Sequence, residues 1–107
     1  MNGETLQHKV RILNLQGMHI RPATAFVETA RRFQSSVFVI KDGQRVDGKN
    51  SPLELLLLGA LQGTELVLEV SGPDAREALA ALVQFLADLV KEDEEAAPPA
   101  AGEPSRA

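Results

Sequence analysis

Three times along this chain the spacing of apolar residues changes from two to three or four, which limits the chain to strands and helices in alternation. Leu6, His8, Val10 and Ile12 alternate with Gln7, Lys9 and Arg11, the period of a strand with one buried face. Gln16-Gly17-Met18-His19 breaks that alternation. Ala23, Phe26, Val27, Ala30 and Phe33 follow at helical spacing. Pro22 fits the first turn, where a missing N–H does no harm. Val37-Phe38-Val39-Ile40, inside Ser36 to Lys41, predicts a second strand. Asp42-Gly43 predicts a two-residue type I′ turn, with Gln44 to Asp47 returning as the third strand.

Ser51-Pro52-Leu53-Glu54 reads as a capping box with proline at the first helical position. The short helix it opens ends near Gly59 or Gly63. Glu65 to Val70 predicts a fourth strand, with Leu66, Leu68 and Val70 on one face. Gly72-Pro73-Asp74 introduces a last helix. Asp74 and Glu77 suit its positive end, and Ala75, Leu79, Leu82, Leu86 and Leu89 give it an apolar stripe. The order is βαββαβα. One-sided strands with three helices imply an α+β fold, a four-stranded antiparallel sheet with the helices on one face and the other face largely solvated.

The chain has 107 residues, enough for one domain, which we place at 1–91. Residues 1–90 carry nine basic and ten acidic side chains, whereas 91–107 carry two basic and five acidic. The folded part is thus nearly neutral. Residues 92–107, acidic and then rich in Ala and Pro, are expected to be a disordered tail. No basic stripe suggests nucleic acid, and with no Trp or Tyr there is little for bases to stack on. The absence of cysteine excludes a disulfide framework and agrees with a cytoplasmic setting. Met1 to Lys9 has no apolar core, so no secretory signal is expected there. Leu55 to Leu61 is too short to span a bilayer, so no membrane insertion is expected.

The chemistry lies in Gly17-Met18-His19-Ile20-Arg21-Pro22-Ala23, between the first strand and the first helix. Gly17 lets the loop turn, and His19 falls at or beside the helix N-cap. A helix start offers unpaired N–H groups and a positive dipole end, which favour phosphate. A neutral imidazole nitrogen is a nucleophile near neutral pH. Arg21 can supply charge-assisted hydrogen bonds to phosphoryl oxygens. On these grounds alone a capping or surface role is the simpler reading of His19, and a solvated one that of Arg21.

The same block resembles the Gly-Leu-His-Ala-Arg-Pro-Ala signature of the HPr family of the bacterial phosphotransferase system. Asp42-Gly43, Ser51 before a leucine-rich helix, Leu58-Gly59-Ala60, Gly63 and Ser71-Gly72-Pro73-Asp74-Ala75 match in the same order, so the resemblance spans about residues 5–90. It implies an open-faced β-sandwich with helices on one side. It also implies a phosphocarrier, not an enzyme, that works without a cofactor. His19 would accept a phosphoryl group from enzyme I, with Nδ1 the accepting atom, and pass it to a IIA protein or domain. Arg21 would stabilise the phosphate, and Gly17, Ile20 and Pro22 would shape the helix start around it. A monomer is expected. Ile20 departs from the small residue usual after the histidine. Asp47 to Pro52 carries one extra residue, so either Asn50 or Ser51 aligns with the serine that a regulatory HPr kinase phosphorylates in many relatives. That Asn-Ser pair and the leucine run resemble NPr, the nitrogen-branch relative, and the carbon and nitrogen branches stay open.

Other residues are read more plainly. His8 has inward parity and is taken as structural or superficial, and no metal site is expected. Ser51 is explained by its cap, with regulatory phosphorylation as the second reading. Leu55 and Leu58 are assigned to the core, which leaves Leu53 and Leu56 as an apolar patch for docking partners. The alternative function is a regulatory binding module of the same fold, controlled by its phosphorylation state.

Overall fold

The computed structural model describes residues 4–13, 17–59 and 61–96, with side chains to Lys91. The elements are β1 (Glu4–Arg11), α1 (Ile20–Arg31), β2 (Ser36–Lys41), β3 (Gln44–Asp47), α2 (Pro52–Leu57), β4 (Glu65–Gly72) and α3 (Ala75–Ala96). The four strands form one antiparallel sheet in the order β1-β4-β2-β3. This is the α+β architecture the sequence implies, and β2 and β3 have the expected bounds. Lys41 pairs with Gln44 across a two-residue turn, and Asp42 and Gly43 take φ +50° and +82°, as a type I′ turn needs.

The alternation read from the sequence decides which sheet face is buried. Val37 and Val39 of β2 lie opposite Val70 and Leu68 of β4, and all four are buried. Against them pack Ala23, Phe26, Val27 and Ala30 of α1, Leu55 of α2, and Ala75, Ala78, Leu82 and Leu86 of α3. Phe26 and Phe85 meet edge to face at 6.0 Å. On the other face Phe38, Ile40 and Val67 are half-buried, which leaves that side of the sheet open. His8 shares a face with Leu6 and Val10 yet is exposed, because β1 is an edge strand.

Three local details differ from the sequence reading. Asp74 does act as the start of α3, its carbonyl accepting the Ala78 N–H at 2.9 Å. Its carboxylate, however, reaches across the molecule to accept the Gln34 and Ser35 N–H groups, each at 2.9 Å, and the Ser35 hydroxyl at 2.6 Å. These bonds, the Ser35 hydroxyl first, hold the carboxyl below the usual aspartate range. Ser51 caps α2 but accepts from Leu53 N–H at 3.1 Å, while Glu54 accepts from the Asn50 side chain, so the capping box is not closed on itself. Finally, α3 runs to Ala96 and overruns the expected boundary at Lys91. Lys, Glu and Ala sustain a helix, and the first breaker is Pro98. The remaining stretch of the expected tail, 97–107, lies outside the described residues.

Candidate functional site

The sheet has two ends, and the pairing shows what gathers at each. At one end β1 finishes at Arg11 opposite Glu65, the start of β4. There Ile12 N–H donates to the Thr64 carbonyl at 2.9 Å and Gly63 N–H donates to the Ile12 carbonyl at 2.6 Å. Gln62 Nε2 donates to the Leu13 carbonyl at 3.2 Å. The chain leaves this end toward α1, so Gly17, Met18, His19 and Ile20 belong to it. The β2–β3 turn and the end of α2 belong to it too, because Lys41 Nζ donates to the Leu58 carbonyl at 2.7 Å. The opposite end holds the last turn of α1, Phe33 to Ser36, Lys49 to Ser51 and the start of α3.

Gly17 takes φ +69°, a conformation glycine adopts without strain, and is buried. Met18 enters the core and anchors the loop from below. His19 is the N-cap of α1, with extended backbone and its carbonyl accepting the Ala23 N–H at 2.8 Å. Its side chain makes no capping bond, and it is half-buried. The ring is therefore not committed to holding the helix. Ile20 and Arg21 carry first-turn N–H groups beyond the reach of any helix carbonyl, while Pro22 has none to satisfy. Pro22 is buried and fixes the entry of the chain into α1. Arg21 is exposed, with no hydrogen bond or ion pair among the described residues. An N-terminal helix turn whose first N–H groups lack helix carbonyls, with an imidazole and a guanidinium that have no partner among the described residues, can bind and accept a phosphoryl group.

Ser51 lies at the other end. Arg31, the last residue of α1, donates through Nε to the Lys49 carbonyl at 2.8 Å and through Nη2 to the Asn50 carbonyl. Lys49 Nζ donates in turn to the Phe33 and Ser35 carbonyls at 2.8 and 3.0 Å. The end of α1, not its start, thus meets the start of α2, and Ser51 is held away from His19. The start of α2 therefore does not lie beside the start of α1.

Leu55 is 1% exposed and Leu58 is also buried, as their spacing requires. Leu53 is 62% exposed. Leu56, expected to share its patch, is half-buried and packs against the core. The exposed partner of Leu53 is Leu57, at 79%, one turn further on. Five large apolar side chains stand exposed among the described residues, and four of them, Leu13, Ile20, Leu57 and Leu61, lie at the His19 end. Helix phase does not choose between Leu56 and Leu57, which lie equally far from the face that Leu55 and Leu58 bury. Leu13 and Leu61 lie in loops with no period to betray them. Among the described residues no three His, Cys, Asp or Glu side chains gather to hold a metal ion, and no helix is long and apolar enough to cross a membrane.

A family model described as the PTS HPr component phosphorylation site matches residues 6–88. The phosphocarrier protein HPr of Neisseria meningitidis serogroup A is 40% identical over 81 residues, which cover 76% of this chain and 90% of that protein. The crystal structure of HPr-C-His from Thermoanaerobacter tengcongensis superposes with a TM-score of 0.75 at 36% identity, covering 80% of this chain and 96% of that one. The crystal structure of Crh from Bacillus subtilis, described as a domain-swapped dimer, gives a TM-score of 0.63 at 40% identity over 79% of this chain and 97% of that one. By sequence and by fold, the chain belongs to the HPr family of the phosphotransferase system.

Proposed function

We propose that this protein accepts a phosphoryl group from enzyme I on Nδ1 of His19 and passes it to a IIA protein or domain. The observation that carries this reading is an imidazole at the N-cap of a 12-residue helix that caps nothing with its side chain. The neutral nitrogen attacks phosphorus, and a nitrogen–phosphorus bond forms as the donor's bond to phosphorus breaks. The phosphoryl oxygens are favoured by the Ile20 and Arg21 N–H groups and by the positive end of α1. Arg21 adds charge-assisted hydrogen bonds. Delivery to the acceptor reverses these events, so the protein is a carrier and not a catalyst. Incubation with enzyme I and labelled phosphoenolpyruvate tests this. The wild type should take up acid-labile label, and His19→Ala should take up none. Label that survives the substitution overturns the assignment.

Leu53, with Leu57 in place of Leu56, forms the docking patch on α2 in this reading. The protein acts in the cytoplasm as a monomer, and sedimentation would reveal a swapped dimer by its doubled mass.

The likeness to Crh favours a second reading, a regulatory module whose phosphorylation state controls its partners. Ser51 is then the position for an HPr kinase. Its hydroxyl already accepts from Leu53 N–H, so modification would exchange that cap for a phosphate. Label from ATP and HPr kinase that is lost in Ser51→Ala would support this role.

A further inference from the structure

With six residues, α2 is too short to hold its own ends. Ser51 fastens its start, and Leu55 and Leu58 fasten its underside. Its end is fastened from outside. Lys41 is the last residue of β2, two positions on from Val39 and so on the helix-covered side of the sheet. Its Nζ donates to the Leu58 carbonyl at 2.7 Å and to the Gly59 carbonyl at 3.4 Å. A cation there meets the negative end of the helix and satisfies carbonyls that the helix leaves unpaired. Gly59 then turns away with φ +70°, a conformation a side chain would strain. Leu57 and Leu61, at 79% and 69% the most exposed large apolar side chains among the described residues, flank the clasped carbonyls on either side in the chain.

We infer that Lys41 is a positioning residue for docking of the phosphoryl-donor protein, holding the end of α2 so that Leu57 and Leu61 meet the donor beside His19. This rests on the phosphocarrier reading. Direct transfer needs the donor's phosphorus within about 3–3.5 Å of the imidazole nitrogen, so a donor has to cover this end of the molecule. Lys41 touches neither the phosphoryl group nor the imidazole. Its effect falls on how readily the complex forms, not on the transfer within it.

The test compares wild type, Lys41→Met and Lys41→Arg as substrates of enzyme I with phosphoenolpyruvate. Methionine keeps the apolar stem and removes the donors, whereas arginine keeps a cation that can reach the carbonyls. Lys41→Met should raise KM about fivefold, the effect of losing one modest interface contact, with kcat within about twofold of wild type. Lys41→Arg should restore most of the loss. Amide exchange should quicken at Leu58 and Gly59 in Lys41→Met and stay unchanged in β1 and β4, which separates a loosened helix end from general unfolding. An unchanged KM in a folded Lys41→Met, or exchange at Leu58 and Gly59 like that of the wild type, overturns the positioning role. A fall in kcat with KM unchanged overturns it too. A wild type that takes no label from enzyme I overturns the phosphocarrier reading itself, and the docking role with it.

Discussion

At the scale of single residues, the site depends on what His19 and Arg21 leave undone. His19 occupies a cap position without spending its ring, and Arg21 stands exposed without a partner among the described residues. An arginine placed only for solubility would tolerate any polar replacement. One that meets phosphoryl oxygens supplies a planar fork of donors, which lysine reproduces only as a point charge. Arg21→Ala should therefore slow phosphoryl transfer roughly 10- to 100-fold, less than the loss of a buried oxyanion donor because the guanidinium is open to water. Arg21→Lys should recover part of that rate, and both variants should unfold at the wild-type denaturant concentration. A rate unchanged in Arg21→Ala, followed by quenched-flow labelling, would remove Arg21 from the site. Ile20 bears its extra bulk at the surface, so its size is felt by whatever approaches His19 and not by the core.

At the scale of elements, α2 divides into two faces with different duties. Leu55 is buried against the sheet, whereas Leu53 and Leu57 share an exposed side. Leu55→Ala should cost about 2–5 kcal/mol of stability, the range for truncating a buried leucine. The double change Leu53→Ser, Leu57→Ser should cost little in stability, as exposed substitutions usually stay within about 0.5 kcal/mol. It should instead weaken enzyme I binding by about 1–3 kcal/mol. Denaturant unfolding and calorimetric binding separate the two, and a double variant that unfolds easily but binds normally would assign these leucines to the core. Much of this was legible in the sequence. The strand period and the Asp-Gly turn gave β2 and β3 to the residue, and Gly-Met-His-Ile-Arg-Pro marked the site. Less legible were features set by tertiary approach. That Leu56 is half-buried and Leu57 exposed was not legible, because helix phase alone cannot tell which flank of a short helix the core will cover. Lys41 reads in sequence as an ordinary strand-end cation, and only the return of α2 reveals its carbonyl partners. The end of α3 was less legible because the acidic run that suggests a tail also has the propensity to continue a helix, with no proline between Pro73 and Pro98 to stop it.

At the scale of the whole molecule, the two ends do different work. The His19 end exposes most of the large apolar side chains and leaves the His19 ring and Arg21 without a partner among the described residues, while the opposite end binds its polar groups to one another. There Asp74 joins the start of α3 to the α1–β2 connection, some forty positions earlier in the chain, and Arg31 and Lys49 tie α1 to the entry of α2. That separation lets the carrier present a reactive end without loosening its fold. It also locates an acid sensitivity. Asp74 titrates below its ordinary value because the Ser35 hydroxyl and the Gln34 N–H hold its charged form. The unfolded chain, with an aspartate near about 3.9, therefore takes up the proton first as the pH falls. The stability Asp74 contributes is complete above that unfolded value and is lost as the pH drops through the folded one. Asp74→Asn cannot titrate. Its unfolding midpoint should lie below that of the wild type at pH 7, and the gap should narrow at pH 3, below the unfolded aspartate value, where the unfolded chain has already taken up the proton. Denaturant titrations of both proteins at the two pH values measure it. A gap of the same size at both would mean that the carboxylate charge contributes nothing and that the Ser35 contact is held by shape alone.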